Sequence, residues 1–267
     1  MSAMAIALTV ALWWGSTGLI ALLVRRGPRH FPALLAVASV VAVLGLAVLV
    51  VLRDATDAAG AVAAFCAALA LWAWIEITFL TGAITGPVRA LPPGMPRRGW
   101  RHALAALTAI LWHELAILAV LAAVALLVAG HANVIGLGTL LVLWALRSSA
   151  KLNLFLGVRN LGEGFLPTHL AHLLDHLHRR PMNALLPFSV LLGALLTAWL
   201  AGRALAATLP VESTGYTLLA TLAALGVLEH LLMVLPVAPE SLWGLRTAKP
   251  LHAVRSGGNA STENRHD

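Results

Sequence analysis

Of the 267 residues, 60% are hydrophobic and only 11% are charged, too few charges to keep the surface of a soluble domain of this size solvated. The formal net charge of +7 raises the question of nucleic acid. However, the basic residues lie in short stretches between apolar runs rather than along one helix face, so membrane topology accounts for them and no nucleic-acid partner is expected. The lone cysteine, Cys66, excludes an internal disulfide and any CxxC metal or redox motif.

A helix needs about 20 apolar residues to cross a hydrocarbon core about 30 Å thick, and the chain offers such runs near 3–24, 31–52, 60–84, 103–129, 134–151, 183–208 and 215–237. The first lacks the basic leader of a signal peptide, carries Trp13 and Trp14 in its middle and is too long for one, so it is expected to be a retained helix. Runs one and two are joined by the basic turn RRGPRH, and runs two and three by the short polar RDATDAAG, which suits an antiparallel hairpin. Prolines in TGPVRALPPGMPRRGWRH exclude a regular helix there, and Trp100 suits an interfacial anchor. After run five, LGEGFLPTHLAHLLDHLHRR places Leu170, Leu173, Leu174 and Leu177 on one helical face, with His169, His172 and His176 beside it. That pattern predicts an amphipathic interfacial helix near 168–180, opened by Pro167 and Thr168 and stopped by Pro181. Residues 244–267 are small and polar and are expected to form a disordered tail.

Basic residues fall in every second gap. Of the 18, only Arg53 and Arg203 lie on one side, and the other 16, Arg147 and Lys151 at the end of run five among them, lie on the other. The positive-inside bias assigns that richer side to the cytoplasm, which puts the N-terminus outside and the C-terminus inside. The expected fold is therefore an all-α polytopic helix bundle of about seven transmembrane helices, with membrane lipid as its first partner.

Three acids lie inside the apolar runs, each costing about 2.5 to 3.5 kcal/mol at a helix centre on insertion scales. Glu76, the pair His113 and Glu114, and the pair Glu229 and His230 all sit about 11 to 17 Å from the cytoplasmic boundary at 1.5 Å per residue. Runs three, four and seven could thus converge on one polar centre, supported by Arg147, Lys151 and Asn153. Two chemistries compete for it. One is a network in which acids pair with Arg147, Lys151 and histidine N–H groups to satisfy what lipid cannot solvate. The other is a metal site, for which Glu76, His113, Glu114, Glu229 and His230 are the candidates, since carboxylates and imidazoles ligate di-iron bundles. Those bundles use Glu-x-x-His on one face, whereas the Glu–His pairs here are adjacent and point about 100° apart. On the surface helix, His169, His172 and His176 could bind a metal or a chlorin magnesium, or be only titratable groups of an interfacial helix. Trp72, Trp74, Trp112 and Trp144 could stack on a planar pigment or simply pack. No nucleophile elbow, phosphate-cradling loop, zincin motif or dinucleotide fingerprint is present.

The strings WAWIEITFLTGAITGP at 72–87, WRHALAALTAILWHEL at 100–115, RSSAKLNLFLGVRNLGEGFLPTHL at 147–170, RRPMNALLPFSV at 179–190 and LEHLLMVLPVAPESLW at 228–243 resemble the photosynthetic complex assembly protein family called PuhE. The resemblance runs from WWGSTG in run one to Trp243. It implies a purple photosynthetic bacterium, a gene neighbourhood shared with the reaction-centre H subunit, and a role in assembling the reaction centre and core antenna or in bacteriochlorophyll supply. The family brings no catalytic residue with it, and the histidine-rich stretch 171–178 departs from its pattern. The leading expectation is a non-enzymatic assembly factor with reaction-centre or core antenna subunits as partners and bacteriochlorophyll or iron as conceivable cofactors. The alternative is an integral-membrane, metal-dependent enzyme acting on a tetrapyrrole or its isoprenoid tail.

Overall fold

The computed structural model describes residues 2–88, 94 and 97–236; the expected tail at 244–267 and the end of the seventh run lie outside them. Among the described residues eight α-helices follow one another: α1 (Ala3–Arg25), α2 (Phe31–Val51), α3 (Ala58–Leu80), α4 (Trp100–Ala109), α5 (Leu111–Val128), α6 (Ile135–Leu156), α7 (Leu186–Ala206) and α8 (Pro210–Leu232). All but α4 are long and apolar enough to cross a membrane. The protein is an all-α polytopic bundle, as its hydropathy predicts.

Small residues decide which helices lie inside. The buried positions of α8 include Gly215, Thr217, Ala220, Ala223 and Gly226, and those of α3 include Gly60, Ala61, Ala64, Ala67 and Ala68. In lipid, close backbone approach rather than the hydrophobic effect drives helix association, so small-residue faces become the inner ones. α3 and α8 accordingly pack against each other and against α1 and α6, with α2 along α3 and α7 along α8. Large side chains of α2 and α7, such as Val43, Leu44, Phe188 and Leu192, point outward.

One end of the bundle has short connections, at 52–57, 129–134 and 207–209, and they are pinned together. The Asp57 carboxylate caps α3 by accepting the Gly60 N–H at 2.6 Å. The buried Asn133 amide donates to the Leu52 and Gly60 carbonyls, each at 3.1 Å, and its backbone N–H reaches the Arg53 carbonyl at 2.8 Å. Asp54, held by His131 at 2.9 Å, has its carboxyl pulled below the usual range chiefly by that hydrogen bond. The other end carries the long connections.

The structure corrects three boundaries. The run at 103–129 is not one helix: it breaks at Ile110, whose φ and ψ of −123° and 11° leave the helical region. Neither Pro nor Gly stands there. The cause lies in the loop after α3, where Gly86 sits against the Thr108 and Ala109 backbone, closer than any Cβ would permit. Beside it, the Thr85 carbonyl accepts the His113 N–H at 2.9 Å, partnering a donor orphaned by the break. α6 runs five residues past the predicted 151, to Leu156, so Arg147 and Lys151 lie within the helix rather than at its end. Finally, the segment expected to be an α-helix near 168–180 is a 3₁₀ helix over Thr168–His176. Its Leu173, Leu174 and Leu177 turn toward a cavity in the bundle rather than toward lipid.

Candidate functional site: a charged cavity beneath a cap

A cavity of about 880 Å³ occupies the half of the bundle nearer the long connections. Its walls are Trp13 to Val24 of α1, Leu69 to Leu80 of α3, Leu143 to Phe155 of α6 and Leu222 to Leu232 of α8, with α4 and the start of α5 completing the ring. The α6 wall runs over 13 residues, about 18 Å of helix and roughly half a hydrocarbon core. Leu161, Phe165, Leu166, Leu173, Leu174 and Leu177 close it from the loop end. That cap is tied down at several points. The Asn160 amide donates to the Leu232 and Leu235 carbonyls, both at 2.7 Å, Arg25 donates to the Gly164 carbonyl at 3.0 Å, and Arg179 pairs with Glu163 at 2.6 Å.

Glu76, Glu114, Arg147, Lys151 and Glu229 line this mostly apolar space, whose other polar residues are Ser16, Thr17, Ser148, Asn160 and His176. Arg147 and Lys151 stand one helical turn apart on α6, a like-charge arrangement that would repel if left alone. Each has an acid from another helix. The Arg147 guanidinium donates to Glu76 of α3 at 3.2 Å, and the Lys151 ammonium to Glu114 of α5 at 2.5 Å. Glu229 accepts from the Trp13 indole of α1 at 3.1 Å, and both it and Glu114 act electrostatically on Arg147. Helices α1, α3, α5, α6 and α8 are thereby joined through polar contacts at one depth, which satisfies groups that lipid could not.

The remaining candidates go elsewhere. His113 is buried with its ring 4.4 Å from that of Phe79 and does not line the cavity. His230 donates from Nδ1 to the Gly226 carbonyl at 2.7 Å, which leaves Nε2 to accept the Ser149 hydroxyl at 2.9 Å in the neutral ring. Asn153 donates to the Ser149 carbonyl and the Ser189 hydroxyl, both at 2.9 Å, and so links α6 to α7. Adjacent residues on a helix diverge by about 100°: Glu114 and Glu229 line the cavity, and their histidine neighbours, turned away, do not. The five metal candidates therefore do not gather. Among the described residues no three His, Cys, Asp or Glu side chains form a set that could hold a metal ion.

The cap histidines form no such set among the described residues either. His169 lies 5.5 Å from Phe31, ring to ring, and His172 borders a smaller cavity with Thr81, Thr85 and His169. His176 stacks at 5.8 Å and 14° on His102 of α4, a buried partner that the spacing of the cap gave no reason to expect. His178 bridges the Phe155 and Arg97 carbonyls, each at 2.8 Å. Of the tryptophans, Trp72 and Trp144 line the cavity, Trp74 donates to Ser39 at 3.0 Å and Trp112 is exposed. Trp13 was missed as a site residue because its indole gains meaning only once α8 brings Glu229 beside it.

Fold and cavity together define a multi-pass membrane protein with a capped, charged pocket inside the bundle. The chain belongs to the family described as "Protein of unknown function (DUF3623)", whose model matches residues 1–251. A relative from Rhodobacter capsulatus, named "Uncharacterized 30.4 kDa protein in puhA 5'region", is 38% identical over 240 residues, which cover 88% of this chain and 87% of the relative. No solved structure matches the chain.

Proposed function

We propose that the protein is a non-enzymatic assembly factor of a bacterial cytoplasmic or intracytoplasmic membrane, of the PuhE type. In this role it holds a pigment of the bacteriochlorophyll kind, or a segment of a reaction-centre or core antenna subunit, during formation of the photosynthetic complex. The observation that carries this is the cavity: about 880 Å³ is the size of a ligand site, and a mostly apolar wall with a few convergent polar groups is its usual chemistry. Three tryptophans, Trp13, Trp72 and Trp144, offer flat faces for a conjugated ring system. The relative's name places it in the puhA 5' region, which supports the photosynthetic context. By the distribution of Arg and Lys, the capped end faces the cytoplasm, where newly made pigment or subunit could be received.

Purification of the full chain in mild detergent from a photosynthetic host tests this directly. The expected outcome is pigment absorbance near one chromophore per chain, or co-purifying reaction-centre or core antenna subunits, lost when the cavity is filled by Ala73→Trp. A preparation free of both, from cells actively assembling the complex, would rule the proposal out.

A further inference from the structure

We infer that the cavity selects an uncharged amphiphile whose head presents oxygen acceptors of the ketone, ester or quinone kind, and that Arg147 is the residue that reads it. The inference deepens the holding role proposed above by naming the ligand's chemistry. Arg147 lies in the middle of a membrane helix, yet its side chain is 42% exposed, against 23% for Lys151, 19% for Glu114 and 13% for Glu76. That exposure is to the cavity it lines. A guanidinium has five N–H donors in a planar fork; one is used on Glu76, and the others make no further bond among the described residues. Donors left over in an apolar, lipid-surrounded space call for an acceptor.

The charge balance then narrows what that acceptor can be. Three acids face two bases in the cavity, and both bases already have a carboxylate partner within 3.2 Å. A carboxylate or phosphate head would bring another negative charge next to Glu229, Glu76 and Glu114. An ammonium head would meet the most exposed group in the site, which is itself cationic. A neutral carbonyl avoids both repulsions and accepts from the idle N–H groups, while its alkyl or isoprenoid body lies against Trp72, Trp144, Leu69 and Leu118.

Photo-crosslinking of the purified full-length protein in detergent tests this, using three probes with the same diazirine-bearing C16 chain and a methyl ketone, carboxylate or trimethylammonium head. Mass spectrometry of the labelled peptides reads the position. The ketone probe is expected to label the stretches 143–155 and 222–233 at least tenfold more than either charged probe. The double substitution Glu76→Gln with Arg147→Gln, which keeps shape and removes the pair together, should cut that labelling about tenfold while circular dichroism and gel filtration stay unchanged. Arg147→Lys should give an intermediate loss, because it keeps the charge but not the fork. Labelling insensitive to Arg147, preference for either charged head, or labelling confined to the outward faces of α2 and α7 would overturn the inference. Failure here leaves a co-purifying pigment untouched. Conversely, absence of pigment would not move the ketone preference, so the two proposals fall separately.

Discussion

At the short-loop end, α3, α6 and α8 touch through glycine and alanine. Gly136 of α6 lies against the Ala64 carbonyl of α3 and the Leu49 side chain of α2, and Gly215 of α8 against Ile135 of α6, so that a Cβ at either position would crowd its neighbours. Farther along, the same three helices border an 880 Å³ space and carry all five of its charges except Glu114. The two regions share one chain composition and one solvent, and they differ in what fills the interhelical gap. Where side chains are small, backbones close up and dispersion contacts hold the helices. Where α3, α6 and α8 carry Glu76, Arg147, Lys151 and Glu229, close approach is blocked, and the cost of charges in lipid is offset by pairing across helices. One end is therefore close-packed, and the other keeps open space between its helices.

The sharpest way to break this comparison is to truncate one apolar side chain to alanine in each region. Phe65→Ala, in the fully buried part of α3, should destabilise by about 3–5 kcal/mol because it leaves a cavity the close-packed helices cannot collapse. Leu118→Ala, whose side chain borders space already open, should cost less than about 1 kcal/mol. Thermal unfolding midpoints in one detergent measure both, and similar losses would mean that the cavity is filled by its own walls in solution. Next in size is the charged pair. Arg147→Ala strands Glu76 and should cost about 2 kcal/mol, below the 3–5 kcal/mol of a fully enclosed pair because the guanidinium reaches the cavity. The joint replacement of Glu76 and Arg147 by glutamine should recover most of that midpoint shift.

The smallest effect concerns the cap. Burial holds the pKa of His102 and of His176 below the ordinary histidine value, and a neighbouring imidazole, His178 for the first and His102 for the second, pushes in the same direction. At His102 a hydrogen bond with the Arg97 backbone opposes the lowering while the Arg97 charge adds to it, and at His176 Asp175 opposes it while His172 and Arg97 add to it. A folded value below the unfolded one of about 6.5 means that the unfolded chain takes up more protons on acidification. Stability from this stacked pair is thus fully present above pH 6.5 or so, and is lost as pH falls through the lowered folded values. The unfolding midpoint should drop modestly between pH 8 and pH 5.5, and His102→Phe with His176→Phe should flatten that dependence. A flat profile in the unsubstituted protein would count against a buried neutral pair.

Much of the molecule was legible in its hydropathy. Runs of about 20 apolar residues have one stable form in lipid, because a helix alone satisfies its own backbone there, and the spacing of Glu76, Glu114 and Glu229 from the run ends placed them at one depth. The adjacent Glu–His pairs also announced their own divergence through the 100° turn per residue. By contrast, the break at Ile110 left no mark at Ile110. It depends on Gly86, 24 positions away in sequence, fitting against the α4 backbone. The 3₁₀ form of Thr168–His176 was equally hidden, since its leucines suit an α-helical face as well as they suit the roof of a cavity.

The amino-acid order by itself determined a seven-span all-α membrane bundle and the depth of its charged residues, because both follow from local length and from the free energy of moving each residue into hydrocarbon. Only the tertiary structure decided that Arg147 pairs with Glu76, Lys151 with Glu114 and Trp13 with Glu229, that His113 and His230 turn away, and that an apolar cap covers open space between them. Those choices depend on how helices rotate about their axes and how closely their small-residue faces let them approach, quantities set by contacts between distant segments and not by any one of them.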